Sequence, residues 1–284
     1  MVHWDRRHAR QKLLIQILVL FATVVGITAF YEIRNGANGE EKKLTIQEKR
    51  SIPMREISGI ATIVKDGETR IVLVGDSRPH LFLHGGESEE EELSFRKALL
   101  DRFSLCQDED FEECEKTIKK LTRNWEALAT DGEQRFFVLQ EHSQSILVLD
   151  RSAQTIQKAI HFNFAEAFPE DIAKGSKKFR KNALGEGMLL LKKGHVLIAK
   201  ESVPTAFVEF GPEGDAPLGV NPLTVLPKNE AFQLSGDGLH IKLKPLHTWM
   251  LNAHSKCDIS DLALDKDKKL LVLSETCQTI SRYD

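Results

Sequence analysis

The chain has 284 residues, 41% of them hydrophobic and 29% charged, an ordinary globular composition that excludes a disordered chain and a multispanning membrane protein. Its formal net charge is −3, and because the first 31 residues contribute +3 the remainder carries −6. That balance argues against a nucleic-acid partner, since neutralising phosphates needs a basic surface.

The 19 residues from Leu13 to Tyr31 carry no charge, and as a helix they would be roughly 28 Å long, the thickness of a bilayer's hydrocarbon core. Arg6, Arg7, Arg10 and Lys12 all precede this run, so the positive-inside rule places residues 1–12 in the cytoplasm and everything after Tyr31 outside. A cleaved signal peptide is the competing reading. The apolar run exceeds the usual signal-peptide core, and no A-x-A-like site follows it clearly, which favours an uncleaved anchor at 13–31. Residues 32–52 hold Asn35, Gly36, Asn38 and Gly39 with a Glu-Glu and a Lys-Lys pair and no apolar period. They read as a tether, leaving 53–284 as the folded domain.

Within that domain one phrase recurs four times: a small or acidic residue, an apolar strand, a turn, a second strand, an acid. The copies run from Ile57 to His84, Asn124 to Asp150, Leu184 to Phe210 and Cys257 to Asp284. Asp66-Gly67, Asp131-Gly132, Lys193-Gly194 and Asp265 to Asp267 supply the turn at the same place in each, between strands rich in Val, Ile, Leu and Phe. Each copy is therefore a three-stranded meander. Their starts are 67, 60 and 73 residues apart, longer than a blade of about 40–45 residues, so the surplus must hold a fourth strand and insertions. Radially repeated meanders predict an all-β fold, a β-propeller of five or six blades behind one transmembrane helix. A β-sandwich, the alternative, gives no reason for acids to recur in register.

Two insertions interrupt the copies. Residues 87–120 place Leu93, Leu99, Leu100 and Phe103 at helical spacing with Ser88 as a cap, and residues 165–181 end in Lys177, Lys178, Arg180 and Lys181, a solvated run or an anion-binding lip. The four cysteines, Cys106, Cys114, Cys257 and Cys277, lack zinc-site spacing and fit disulfides of an exported protein. Pairing Cys106 with Cys114 would close an acidic loop, and Cys257 with Cys277 would bracket two strands. The other two connectivities, or four buried thiols, fit the spacing as well.

Aligned, the copies place Ser58, Glu126, Glu186 and Ser260 in one column and Gly59, Ala127, Gly187 and Asp261 in the next. At the end of the second strand the column is Asp76, Glu141, Glu201 and Glu275, acidic in every copy. Antiparallel strands bring the start of the first and the end of the second to one sheet end, so both columns face one mouth of the central channel. Clustered carboxylates raise one another's pKa unless a cation compensates them, and hard oxygen donors suit Ca²⁺. Glu126, Glu141, Glu186, Glu201 and Glu275 are therefore candidate metal ligands, with Asp76, Arg78, Lys200 and Asp261 as candidate ligand-binding neighbours. The alternative, equally compatible with the pattern, is that the acids cap backbone N–H groups or join blades.

The segments Ser58-Gly59-Ile60-Ala61, Trp125-Glu126-Ala127-Leu128, Gly185-Glu186-Gly187 with Lys200-Glu201-Ser202-Val203-Pro204, and Ile259-Ser260-Asp261-Leu262-Ala263 with Leu271 to Glu275 resemble the SdiA-regulated family. These are bacterial, N-terminally anchored propellers similar in pattern to esterase-like phytase propellers. The resemblance covers roughly residues 53–284. It implies a single-pass protein of the inner membrane with its bulk on the periplasmic side, and a calcium site. Such proteins carry a further E-G-I-A repeat, whereas this sequence stops right after the fourth copy.

No G-x-S-x-G elbow, P-loop, H-E-x-x-H or Rossmann glycine pattern is present. Two functions stand: a tethered propeller that binds a cation and an undefined small-molecule or protein ligand, or a metal-assisted phosphatase or esterase in which an ion held by the acids activates water.

Overall fold

The computed structural model describes residues 52, 54, 56–65, 67–85, 90–102, 123–169, 184–201, 204–236, 238–251 and 257–283. The anchor at 13–31, Cys106, Cys114, the Ser88 cap and the basic cluster at 177–181 lie outside these residues. No helix among the described residues is long and apolar enough to cross a membrane.

Each repeat folds as a separate antiparallel sheet. Blade 1 is β1 (Ile57–Lys65), β2 (Glu68–Gly75), β3 (Arg78–His84) and β4 (Glu90–Ser94), followed by the short helix α1 (Arg96–Arg102). Blade 2 is β5 (Trp125–Thr130), β6 (Phe136–Gln140), β7 (Ser145–Leu149) and β8 (Ile156–His161). Blade 3 begins with β9 (Gly185–Leu190), β10 (Val196–Lys200) and β11 (Ala206–Gly211). The chain then leaves it, adds β12 (His240–Lys242) in parallel to the edge of blade 2, and returns as β13 (Lys244–Met250), the outer strand of blade 3. Blade 4 has three strands, β14 (Asp261–Leu264), β15 (Leu270–Ser274) and β16 (Thr279–Tyr283).

The first strands pack in succession, β1 on β5, β5 on β9 and β9 on β14, with apolar layers between the sheets. Phe95, Trp125, Val72 and Val138 fill the layer between blades 1 and 2, Phe137, Phe210, Met188 and Ile198 the next, and Leu197, Phe207, Leu262 and Val272 the last. Innermost first strands and stacked blade faces are the arrangement of a β-propeller. The described residues build four blades, and β14 does not pack on β1 as the other first strands pack on one another. The five or six blades expected from sequence are not seen among them; the long repeat intervals hold fourth strands and the 212–243 excursion.

One element differs in kind from its expectation. Residues 90–94 are the fourth strand of blade 1, paired from His80↔Ser94 to His84↔Glu90, and the helix begins only at Arg96. Leu93 therefore belongs to a strand, because the open edge of β3 offers five residues a complete hydrogen-bond ladder that outweighs the weak helix preference of a short glutamate run.

The close spacing of the first strands explains the second sequence column. A Cβ at Gly59 would stand 2.6 Å from the Leu128 nitrogen and one at Gly187 2.6 Å from the Leu262 nitrogen, distances only hydrogen tolerates. The expected turns sit at the opposite end of the sheets, where the Asp131 carboxylate accepts from the Glu133 and Arg135 amides and that of Asp265 from the Asp267 and Lys269 amides.

The 212–243 excursion straps that lower end. Lys192 N–H donates to Thr224 O, Leu226 N–H to Leu190 O and Gly132 N–H to Glu230 O. The buried Asp131 carboxylate takes the Phe232 amide at 2.9 Å while Arg135 donates to the Phe232 carbonyl at 2.7 Å. At the start of the strap, His195 is fully buried with Nδ1 2.7 Å from Glu209 and Nε2 3.1 Å from Asp215, and Glu209 also accepts the Leu218 and Gly219 amides. At its end, His161 Nε2 and His240 Nδ1 lie 2.8 Å apart across β8 and β12.

Gly187→Ala should lower stability by about 2 kcal/mol or more, since backbone cannot yield, whereas Gly238→Ala, with open space around it, should stay within about 0.5 kcal/mol; denaturant melts of both check this. The histidine pair gives a pH dependence. Burial and then the His240 charge hold the His161 imidazole below its ordinary 6.5. Lys242 and Lys244 lie on the adjoining strands, paired with Glu166, with Glu213 also acting on Lys244, so protonation of the histidine pair adds positive charge beside two cations. The unfolded chain thus binds more protons just below 6.5, so this contribution is complete above about pH 7 and is lost as pH falls through 6.5. Wild type should lose melting temperature between about pH 7 and 5.5 more steeply than His240→Asn.

Candidate functional site

The first sequence column is a repeated β-bulge. In blade 1 the pairs Ile57↔Gly75 and Gly59↔Val74 leave Ser58 unpaired; in blade 2 Trp125↔Gln140 and Ala127↔Leu139 leave Glu126; in blade 3 Gly185↔Lys200 and Gly187↔Ala199 leave Glu186. A bulge re-aims a side chain and lets two neighbours share a side of the strand, which is why a polar residue and a small one follow each other here. Ser58, Glu126, Glu186 and Ser260 are all buried, at the same end of successive first strands. This end of the first strands is where the sequence pattern puts the mouth.

The acidic column stands at the same end and does two things. Its backbone forms a belt from blade to blade. Asp76 N–H donates to Glu56 O, Asn124 N–H to Asp76 O, Glu141 N–H to Asn124 O, Glu201 N–H to Leu184 O and Ile259 N–H to Glu201 O, at 2.8–3.1 Å. Two of its carboxylates cap the start of the next blade: Asp76 Oδ1 accepts the Asn124 amide and Glu141 Oε1 the Leu184 amide, both at 2.9 Å. Asn124 needs this support, because it sits in the left-handed region at φ 60°. The structural role that the sequence left open is therefore present at Asp76 and Glu141. Glu201 is half-buried at the end of β10, and Glu275 follows β15 with its N–H on the Ser260 hydroxyl.

Lys200, expected as a ligand-binding neighbour of the acids, is buried. It ends β10 with no exposed surface, where its neighbours in the column before the acids are Gly75, Gln140 and Ser274. Burial lowers its ammonium from 10.5 to about 8, while Glu201 and Glu141 favour the charged form, so at neutral pH it stays charged. Asp261 is half-buried and turned to the Leu262 amide at 2.7 Å. Arg78 is exposed and lines a cavity of about 640 Å³ in blade 1 with Met54, Glu56, Gly75, His80 and Phe82. Beside the mouth in blade 4, Cys257 and Cys277 form the expected disulfide, with Cα atoms 5.3 Å apart.

Sequence reasoning missed Asp258, whose carboxylate accepts from the Ser274 hydroxyl at 2.8 Å and the Thr276 amide at 3.1 Å, and the buried His195 and Glu209; none lies in a repeated column. As for a metal, the described residues contain no group of three or more His, Cys, Asp or Glu side chains placed to share an ion. One oxygen of Glu141, the expected ligand that caps a blade, is held by the Leu184 amide.

No family model and no curated protein matches the chain. Among solved structures it is similar to Kuenenia stuttgartiensis hydrazine synthase, with 9% identity and a TM-score of 0.39 over 80% of this chain and 45% of that one. The extracellular domain of a putative hybrid two-component system from B. thetaiotaomicron shows 11% identity and a TM-score of 0.38 over 84% of this chain and 22% of that one. A streptogramin B lyase shows 8% and 0.38 over 80% and 64%. The chain spans less than two thirds of each of these.

Asp76→Ala should destabilise the domain by about 0.5–1 kcal/mol, because it removes one of the two acceptors of the Asn124 amide and leaves the Asp76 carbonyl, and Asp76→Asn, which keeps a side-chain acceptor, should cost less; paired denaturant melts decide it.

Proposed function

We propose that the protein is a membrane-tethered, extracytoplasmic propeller that binds a cationic organic ligand at the acidic mouth and does not hydrolyse it. The observation that carries this is the repeated bulge, which delivers Glu126 and Glu186, buried, to one end of the first strands. Two carboxylates brought to one end of the first strands concentrate negative potential there, and an ammonium or guanidinium is the group that such a potential attracts. The tether rests on the charge flank of Leu13 to Tyr31 and on the resemblance to the SdiA-regulated family. Metal-assisted ester hydrolysis would need an ion on the same acids, of which Glu141 and Asp76 already commit an oxygen to backbone.

Calorimetric titration of the full chain in detergent with putrescine and with arginine amide tests the site. Binding by wild type, weakened at least tenfold in Glu126→Gln/Glu186→Gln, about 1.4 kcal/mol, is expected; equal binding by both proteins overturns it. A reporter active only outside the cytoplasm, fused after Asp284, should be active.

A further inference from the structure

We propose that Lys200 is the resident counter-cation of the mouth, an internal ammonium in the role that a calcium ion was expected to fill, so that it sets the charge of ligand the mouth accepts. The inference rests on the reading of the mouth as the binding site. Its grounds are positional. Among the four residues that end the second strands, Gly75, Gln140, Lys200 and Ser274, only Lys200 is charged, and it is completely buried. The bulge residue is Ser58 in blade 1 but Glu126 in blade 2 and Glu186 in blade 3, and Gly185, next to Glu186, pairs with Lys200. The two glutamate bulges thus belong to the blade whose second strand ends in the buried ammonium and to the blade before it, whose Glu141 favours its charged form together with Glu201. Gln140 donates to the Arg123 carbonyl and Ser274 to the Asp258 carboxylate; both side chains are uncharged, and neither could balance an added carboxylate. An ammonium fixed inside the blade repels a compact metal ion held among the acids, whose whole charge sits at one point, more than an organic cation whose charges lie apart, and it leaves part of the acidic field for the latter.

The test is a set of thermal melts of the full chain in detergent, in chelator and with CaCl₂ or MgCl₂. Wild type and Lys200→Arg should melt at the same temperature with and without either ion. Lys200→Gln should melt several degrees lower in chelator and recover as Ca²⁺ is added, since an ion that binds only the folded form raises its stability. A calcium shift in wild type as large as in Lys200→Gln overturns the proposal, as does a Lys200→Gln protein that melts like wild type in chelator. If Lys200→Gln does not fold, Lys200→Gln/Glu141→Gln decides, because it removes one charge of each sign and keeps an acceptor for the Leu184 amide. Folding restored in that double variant supports the countercharge, and continued failure shows that Lys200 serves packing alone and overturns it. These melts need no organic ligand. Failure of putrescine and arginine amide to bind would therefore sink the binding function while leaving the countercharge result standing.

Discussion

Everything at the mouth follows from how closely the first strands approach one another. Backbone meets backbone at Gly59 against Leu128 and at Gly187 against Leu262, and at that spacing side chains cannot separate the blades. Two devices follow from it. The bulge before each of these positions takes the polar side chain out of the contact, and the belt of inter-blade amide bonds from Glu56 to Ile259 uses the proximity to satisfy groups that strand pairing leaves over. A buried backbone amide without a partner costs about as much as a lost hydrogen bond, so the belt is a requirement of the packing.

This is also why so much of the site was legible in the sequence. The Gly, Ala, Gly column records the close approach, the Ser and Glu column the bulges, and the Asp and Glu column the caps and the belt. Each is a local demand repeated at a fixed offset from a turn. What stayed hidden depends on contacts distant in sequence. The glutamates of β4 have little strand preference of their own and become a strand because β3 has an open edge. The outer strand of blade 3 arrives only after the 212–243 excursion has strapped two blades. No pattern announces such a detour, since Arg135 and His195, which help to hold it, are single occurrences and Asp131 reads in the sequence only as one of the repeated turn residues.

The acids show the limit of pattern reading most clearly. Four carboxylates in register suggest a common task, yet the structure divides it: Asp76 and Glu141 spend an oxygen on the next blade's backbone, whereas Glu201 and Glu275 join the assembly through their backbone amides; Glu126 and Glu186, of the other column, stand on bulges. An acid that caps an amide is held in place by geometry and is a poor candidate to reorganise around an ion. The recurrence of the column therefore speaks first for assembly of the blades, and binding has to be sought in the bulge column.

Charge arithmetic decides what could bind there. Two unit charges 4 Å apart interact by about 4 kcal/mol at an effective dielectric of 20, so carboxylates gathered at one end of the first strands destabilise the fold unless a cation sits among them. Lys200 meets that need from within the chain, and burying it without its carboxylates would be equally unfavourable. Acids and ammonium are each tolerable only because of the other. Such mutual dependence fixes the relative position of blades 2 and 3 more tightly than apolar contact does, because apolar layers tolerate small slides whereas a buried ion pair does not. The two blades that carry the bulge glutamates are thus the ones whose alignment the charge itself enforces, which is the condition for presenting two carboxylates at a constant separation to an incoming ligand.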